Sequence, residues 1–216
     1  MARVTEYAYQ GPKRGADRAV LLAHGAGADM HAATLTTVAS ALADARIPSL
    51  RFNFPYRTAG RKAPDRPAVL EASVREAAAE LTRVSKVDRA RLVLGGRSMG
   101  GRICSIAAAD AHDPVPALGL VLLGYPLHPP GKPDQRRVEH FVRLRIPVLF
   151  VSGTRDPFGS PEELRRDAKD ISGSVAFAWV DTGDHGFRPL KSSGLTLGDA
   201  VATVAQTVVD FVQDLG

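Results

Sequence analysis

The sequence predicts an α/β fold in which a doubly wound, mostly parallel β-sheet is flanked by helices. Two observations support this prediction: short apolar runs alternate with amphipathic, alanine-rich segments, and the runs are apolar at nearly every position. A continuously apolar run is typical of a strand that is covered on both faces. Strands that alternate with helices form βαβ units, which build a parallel sheet with helices on both sides.

Six apolar runs are predicted strands, and an additional strand is predicted near the start of the chain. Runs such as LVLLG and PVLFVSG contain almost no polar residue, which favours interior strands. In chain order the predicted strands cover residues 3–9, 19–23, 49–54, 91–94, 118–123, 147–151 and 175–180.

The segments between these strands have the apolar periodicity of helices. In the first of them, Leu35, Val38, Ala39 and Leu42 recur at the spacing that places side chains on one helical face. The predicted helices cover residues 34–45, 67–84, 99–110, 161–169 and 198–214. The stretches 55–67 and 125–134 are predicted loops on the same body, so residues 1–216 are predicted to form a single domain.

Composition argues against nucleic acid and membrane partners. The formal charge is +5 and the pI is near 9.7, but the basic residues are scattered, and arginine outnumbers lysine by 22 to 6, which is typical of coding bias. No apolar run approaches the roughly 18–20 residues that span a bilayer. The first residues lack the apolar stretch of a signal peptide, and the single Cys104 excludes an intramolecular disulfide. A cytoplasmic protein is therefore expected.

The stretch GGRSMGGR, residues 95–102, follows a predicted strand and precedes a predicted helix. It lacks the Lys-Ser/Thr pair of a P-loop, and its glycines do not match the dinucleotide-binding pattern. It does contain Gly96-Arg97-Ser98-Met99-Gly100, the G-x-S-x-G pattern of a nucleophile elbow. On such a sharp turn only small residues fit two positions before and after the serine. The pattern therefore predicts Ser98 as a nucleophile, the alternative being a glycine-rich turn with a capping serine.

An elbow serine requires an acid and then a histidine further along the chain. Asp156 follows the predicted strand 147–151, and His185 follows the strand 175–180. The carboxyl ends of parallel strands meet at one edge, so both side chains are expected near Ser98. His185 would serve as the base and Asp156 would orient its ring. Asp181 and Asp184 are the alternatives for the acid.

An acyl-transfer site also needs hydrogen-bond donors for the developing oxyanion. The amide of Met99, the residue after the nucleophile, is the first expected donor. The turn HGAGADM supplies the second, which is predicted to be the amide of Ala26, with that of Gly27 as the alternative. His24 in this turn is predicted to shape the loop.

The motifs HGAGADM, RFNFPYR, GGRSMGGR, SGTRDPFG and GDHGF, in this order, resemble those of the α/β-hydrolase superfamily. More narrowly, they resemble its small dienelactone-hydrolase-like branch, in the subfamily of a testis-expressed protein and a histone-acetyltransferase complex subunit. The resemblance implies Ser98, Asp156 and His185 as the catalytic residues and Ala26 and Met99 as the oxyanion donors.

Two departures from this branch bear on the substrate. Dienelactone hydrolases use a cysteine nucleophile where this chain has Ser98, so dienelactone is not an expected substrate. The interval 125–141 is too short for a large cap. Arg57, in the basic loop 55–67, and Arg97, beside the nucleophile, are candidate ligands for a substrate carboxylate or phosphate, or else serve only structurally.

Together these features predict a serine hydrolase that acts on a small carboxylic ester or thioester through an acyl-enzyme, with no cofactor and no metal. A peptidase is a further possibility within the enzyme interpretation. The alternative to an enzyme is a non-catalytic protein of the α/β-hydrolase fold that serves as a complex subunit. Acyl-chain preference and oligomeric state are not predicted.

Overall fold

The computed structural model describes residues 6–216, and its strands form one seven-stranded sheet. The strand order is β1-β3-β2-β4-β5-β6-β7. β1 is antiparallel to β3, and every other neighbouring pair is parallel. The strands are β1 Tyr7–Gln10, β2 Ala19–Ala23, β3 Ser49–Phe52, β4 Leu92–Arg97, β5 Gly119–Leu123, β6 Val148–Gly153 and β7 Val175–Val180.

Helices cover both faces of the sheet, which confirms the predicted fold class. They are α1 Ala33–Asp44, α2 Pro55–Thr58, α3 Pro67–Ser85, α4 Met99–Ala108, α5 Pro161–Asp167 and α6 Leu197–Asp214. α1 and α6 pack together on one face, and α3 and α4 pack together on the other. Successive side chains of a strand point to opposite faces of the sheet and so belong to different cores. In β2, Leu21 belongs to the core under α3 and α4, whereas Val20 and Leu22 belong to the core under α1 and α6.

Local sequence accounts for several helix boundaries. α5 begins with a capping box in which Ser160 and Glu163 satisfy each other's backbone amides, and α6 begins with the same device from Thr196 and Asp199. α3 begins at Pro67, where the missing amide hydrogen costs nothing because the first helical turn leaves it unpaired.

The structure corrects some predicted boundaries. The strand predicted for 49–54 ends at Phe52, because Pro55 begins the one-turn helix α2 and Phe54 is its N-cap. That turn lies in the stretch predicted as a loop. The strand predicted for 91–94 continues through two glycines to Arg97. Of the early strand predicted for 3–9, residues 3–5 lie outside the described residues, and β1 itself begins at Tyr7.

The segment between β5 and β6, residues 124–147, contains only a 3₁₀ turn at Phe141–Arg143. This agrees with the predicted fold without a large cap. Within residues 6–216, no helix combines the length and apolar character needed to cross a bilayer.

The buried His140 ties this segment to α4. Its Nε2 lies 2.8 Å from Ser105 Oγ, and the Ser105 hydroxyl donates to the carbonyl of Arg102. Burial, together with the charges of Arg102 and Arg143, lowers the pKa of His140 from its ordinary value of 6.5 to about 4. The ring is therefore neutral in the folded protein at every pH above about 4.

This shift predicts acid destabilisation between pH 6.5 and pH 4. In that window the unfolded chain binds a proton at His140 that the folded protein does not, so the free energy of unfolding falls as pH falls. From pH 7 to pH 5 the contribution of His140 is expected to be about 2 kcal/mol. Urea unfolding at the two pH values measures it. His140→Gln should remove this share of the pH dependence, whereas the exposed His112→Gln should retain it; equal pH dependence in both variants contradicts the prediction.

Candidate active site

Ser98 lies on a strained turn between β4 and α4. Its backbone adopts φ 50° and ψ −118°, which side-chain-bearing residues rarely do, and the residue is the N-cap of α4. The amide of Ser98 donates to the carbonyl of Leu123 at the end of β5, at 2.8 Å. The turn thus holds the Ser98 side chain above the carboxyl edge of the sheet, where the strand ends converge.

The two glycines that flank Ser98 make close contact with the end of β2. A Cβ on Gly96 would lie 2.2 Å from the carbonyl oxygen of Ala23, and one on Gly100 would lie 2.4 Å from the same atom. Both distances are far shorter than any real Cβ contact. Glycine is therefore required at these positions by space.

The loops after β6 and β7 bring Asp156 and His185 to Ser98. His185 Nε2 lies 2.9 Å from Ser98 Oγ, and His185 Nδ1 lies 2.7 Å from Asp156 Oδ2. A continuous line of hydrogen bonds therefore joins a hydroxyl, an imidazole and a carboxylate. In such a line the ring can accept the hydroxyl proton at Nε2 while its Nδ1–H donates to the carboxylate.

Burial sets the roles within this line. The side chain of Asp156 is 0% exposed and that of His185 is 21% exposed. Asp156 Oδ1 also accepts the amide of Phe158, at 2.9 Å. Phe158, which sequence reasoning missed, places its ring 4.1 Å from that of His185, centroid to centroid. The carboxylate is thus fixed and dry, whereas the imidazole reaches solvent.

The other two acids have different surroundings. Asp184 Oδ1 accepts the amides of Gly186, at 2.7 Å, and Arg188, at 2.9 Å, and so shapes the loop that carries His185. Asp181 is exposed. Of the three carboxylates considered from sequence, only Asp156 is hydrogen-bonded to the imidazole.

Ala26 and Met99 line the same cavity as Ser98. Met99 is the first residue of α4, where a backbone amide has no partner inside the helix. The carbonyl of Gly25 accepts from His24 Nδ1 at 2.8 Å, and a trans peptide directs its amide away from its carbonyl. The amide of Ala26 therefore points away from His24, and it has no acceptor among the residues described. Gly27 lines a second cavity, which also includes Ser98 and His185.

His24 has a structural environment. It is fully buried, and its Nε2 accepts the amide of Phe54 at 3.1 Å. Burial lowers the pKa of His24, which keeps the ring neutral and able to accept at Nε2 while Nδ1–H donates to the carbonyl of Gly25. The ring thus links the loop after β2 to the loop after β3. The hydroxyl of Tyr56 adds a second link by donating to the carbonyl of Ala26 at 2.7 Å.

The two predicted anion ligands are already engaged by protein groups. Arg97 donates to the carbonyl of His185, places Nη1 3.3 Å from His185 Nε2 and stacks over the ring of Phe187. Arg57 forms an ion pair with Asp29 at 3.7 Å. Arg97 thus holds the loop that carries His185, and Arg57 joins α2 to the loop after β2. Because both side chains already contact protein groups, anion binding by either arginine stays a prediction.

Sequence reasoning missed two other arginines, Arg102 and Arg137, which line the cavity of Ser98. The spacing contained a signal for the first, since Arg102 follows Ser98 by one helical turn and so shares its face of α4. Arg137 is far from the motif in sequence, and only the fold brings it there.

A mostly parallel sheet with a serine on a strained strand-to-helix turn, followed by an aspartate and then a histidine on later loops, defines the α/β-hydrolase class. The chain belongs to the alpha/beta hydrolase domain family, whose model matches residues 16–213.

Solved structures of low sequence identity share the fold. Dienelactone hydrolase from Anabaena variabilis superposes with a TM-score of 0.75 at 20% identity over 98% of this chain and 92% of that one. An alpha-beta serine hydrolase homologue from Coxiella burnetii gives 0.72 at 19% identity over 95% and 90%. Est1E from Butyrivibrio proteoclasticus, in complex with ferulic acid, gives 0.74 at 13% identity over 98% and 95%. The family match supports a hydrolase in general, and these neighbours share its fold.

Proposed function

We propose that this protein is a serine hydrolase that cleaves small carboxylic esters or thioesters through an acyl-enzyme, with Ser98 as nucleophile. The observation that supports the proposal most directly is the pair of hydrogen bonds at 2.9 and 2.7 Å that links Ser98, His185 and Asp156. The fold neighbours include the esterase domain of a Rhodothermus marinus protein and a monoacylglycerol lipase from Paleococcus ferrophilus, which favours ester chemistry.

In the first half of the proposed reaction, Ser98 Oγ attacks the carbonyl carbon as its proton passes to His185 Nε2. The negative charge that forms on the carbonyl oxygen faces the amides of Ala26 and Met99. Asp156 accepts the hydrogen bond of Nδ1–H and so stabilises the imidazolium. When the intermediate collapses, the bond to the alcohol or thiol breaks, and the leaving group takes the proton from Nε2.

The second half reverses these roles with water. His185 Nε2 accepts a proton from water, the hydroxide attacks the acyl carbon, and the bond to Ser98 Oγ breaks as Oγ regains its proton. The products are the carboxylic acid and the free enzyme. The proposal requires no metal and no cofactor. The narrower resemblance, to the subfamily of a testis-expressed protein and a histone-acetyltransferase complex subunit, and a cytoplasmic location stay predictions.

A fluorophosphonate probe tests the proposal. An activated Ser98 Oγ should form a bond to phosphorus as the P–F bond breaks, and His185 should take the hydroxyl proton. We expect one adduct per chain, located on the Ser98 peptide by mass spectrometry, and loss of p-nitrophenyl acetate turnover in proportion to labelling. Ser98→Ala should show neither labelling nor turnover, whereas Ser174→Ala, an exposed position just before the amino end of β7 and so at the opposite edge of the sheet, should retain both.

Two results would contradict the proposal. Labelling that persists in Ser98→Ala means that another group reacts. A native protein that is neither labelled nor active, but that copurifies with a stoichiometric protein partner, favours the non-catalytic interaction protein.

A further inference from the structure

The cavity beside Ser98 is lined by both apolar and charged residues. Its volume is about 350 Å³, at the small end of ligand sites. Pro126 and Phe158 add apolar groups to Ser98 and the two candidate oxyanion donors. Arg102 and Arg137 add charged groups to the same cavity.

Neither of these arginines is neutralised by a protein group. Among residues 6–216, no carboxylate lies within 4.0 Å of either guanidinium, and Arg102 Nε is buried without an acceptor. Arg51 and Arg57 also have an unpaired Nε, but their terminal nitrogens contact a carbonyl and a carboxylate. An arginine near a cavity normally has a carboxylate or carbonyl partner, so two arginines that both lack one are unusual.

The two charges also act on each other. Burial and the positive charge of Arg102 lower the pKa of Arg137. Two guanidinium groups near each other in a partly buried cavity repel, and an anion between them would relieve that repulsion. A guanidinium matches the geometry of a carboxylate or phosphate with two parallel hydrogen bonds.

The fold holds both residues in place without using their side chains. The amide of Arg102 donates to the carbonyl of Ser98 at 3.1 Å, so this arginine is one helical turn from the nucleophile. The amide of Arg137 donates to the carbonyl of Leu127 at 2.9 Å, and its carbonyl accepts the hydroxyl of the buried Tyr125 at 2.6 Å. The backbone at both positions is therefore ordered before a ligand arrives, so binding has only the side chains to order.

We propose that Arg102 and Arg137 form an anion subsite, and that the substrate is a small ester or thioester carrying a second, compact anionic group, a carboxylate or phosphate. This inference rests on the proposed function and specifies its substrate class. The anion lies between the two guanidinium groups, the short carbon chain contacts Pro126 and Phe158, and the ester carbonyl reaches Ser98. The anionic group takes no part in bond breaking.

Matched substrates test the subsite. The first pair, 4-nitrophenyl hemisuccinate and 4-nitrophenyl pentanoate, places the charge in the acyl part, and the second, 4-acetoxybenzoate and its methyl ester, places it in the leaving group. We expect the wild-type protein to favour the anionic member of at least one pair by about tenfold or more in kcat/KM. Glutarate and inorganic phosphate, tested as competitive inhibitors of pentanoate hydrolysis, distinguish the two kinds of anion.

Variants assign the preference to the two arginines. Arg102→Gln and Arg137→Gln should each lower the anionic-to-neutral ratio of kcat/KM by about tenfold or more and weaken inhibition by the preferred anion. Arg137→Lys should retain part of the ratio, because lysine keeps the charge but loses the planar fork. Arg89→Gln, at the opposite end of β4, changes the net charge equally and should leave the ratio unchanged.

The outcomes separate this inference from the proposed function. A protein that hydrolyses neutral and anionic esters equally overturns the subsite and leaves the serine hydrolase intact. So does a preference that Arg102→Gln and Arg137→Gln both retain. A protein that no fluorophosphonate labels and that hydrolyses no ester overturns the proposed function itself. If a glutamine variant fails to fold, the wild-type ratio and the inhibition constants still decide.

Discussion

A His185→Gln variant is expected to lose about 10⁴- to 10⁶-fold in kcat on p-nitrophenyl acetate. Glutamine fills a similar volume and can hydrogen-bond to Ser98, but it cannot accept the hydroxyl proton. The loss arises because His185 Nε2, 2.9 Å from Ser98 Oγ, is the only imidazole nitrogen hydrogen-bonded to that hydroxyl in the part of the chain that the structure describes. Steady-state kinetics on titrated protein measure the effect.

The double variant sharpens this prediction. If Ser98 and His185 act as one unit, adding Ser98→Ala to His185→Gln should cost almost nothing more, whereas independent roles would multiply the two losses. Asp156→Asn is expected to cost less, about 10⁴-fold, because the ring is still present and only its orientation and charge stabilisation are lost. His31→Gln, an exposed change of the same kind, is the control. A His185→Gln variant within tenfold of wild type would falsify the assignment.

Much of the arrangement could be predicted because its causes are local. β2 and β7 have the predicted bounds, since each is a short apolar run with polar residues at both ends. The elbow could be predicted because the turn at Ser98 leaves no space for a side chain at Gly96 or Gly100. This requirement produces the G-x-S-x-G pattern in the sequence. The order of the later loops then followed from parallel topology, in which all carboxyl ends lie at one edge.

The directions and partners of the arginines could not be predicted in this way. Arg97 is next to Ser98 in sequence, but it ends the strand, and its guanidinium donates to the carbonyl of His185. Arg97 therefore contacts the histidine loop, whereas Arg102, one turn later, lines the cavity. Arg137 is positioned by its amide, which donates to the carbonyl of Leu127, and by its carbonyl, which accepts the hydroxyl of Tyr125, and such long-range placement has no local pattern.

Gly96→Ala is expected to lower the free energy of unfolding by about 3 kcal/mol or more. The new Cβ would lie 2.2 Å from the carbonyl oxygen of Ala23 and 2.8 Å from its nitrogen. Both atoms belong to the backbone of β2, so no side-chain rotation can relieve the clash. Relief requires β2 and β4 to separate where Ala23 pairs with Gly96. Urea unfolding followed by circular dichroism measures the change.

The same variant should also lose activity, because the end of β2 leads directly to His24 and Ala26. A shift that makes room for the new methyl group would move the loop carrying a proposed oxyanion donor relative to Ser98, and displacements of about 1 Å at such sites cost on the order of 100-fold in rate. The control is Gly198→Ala in the first turn of α6, where the nearest atom to the new Cβ is Thr196 Oγ1 at 3.5 Å. Alanine there should raise stability by up to about 1 kcal/mol. A stable, active Gly96→Ala protein would mean that the elbow tolerates a side chain and that its glycines have another cause.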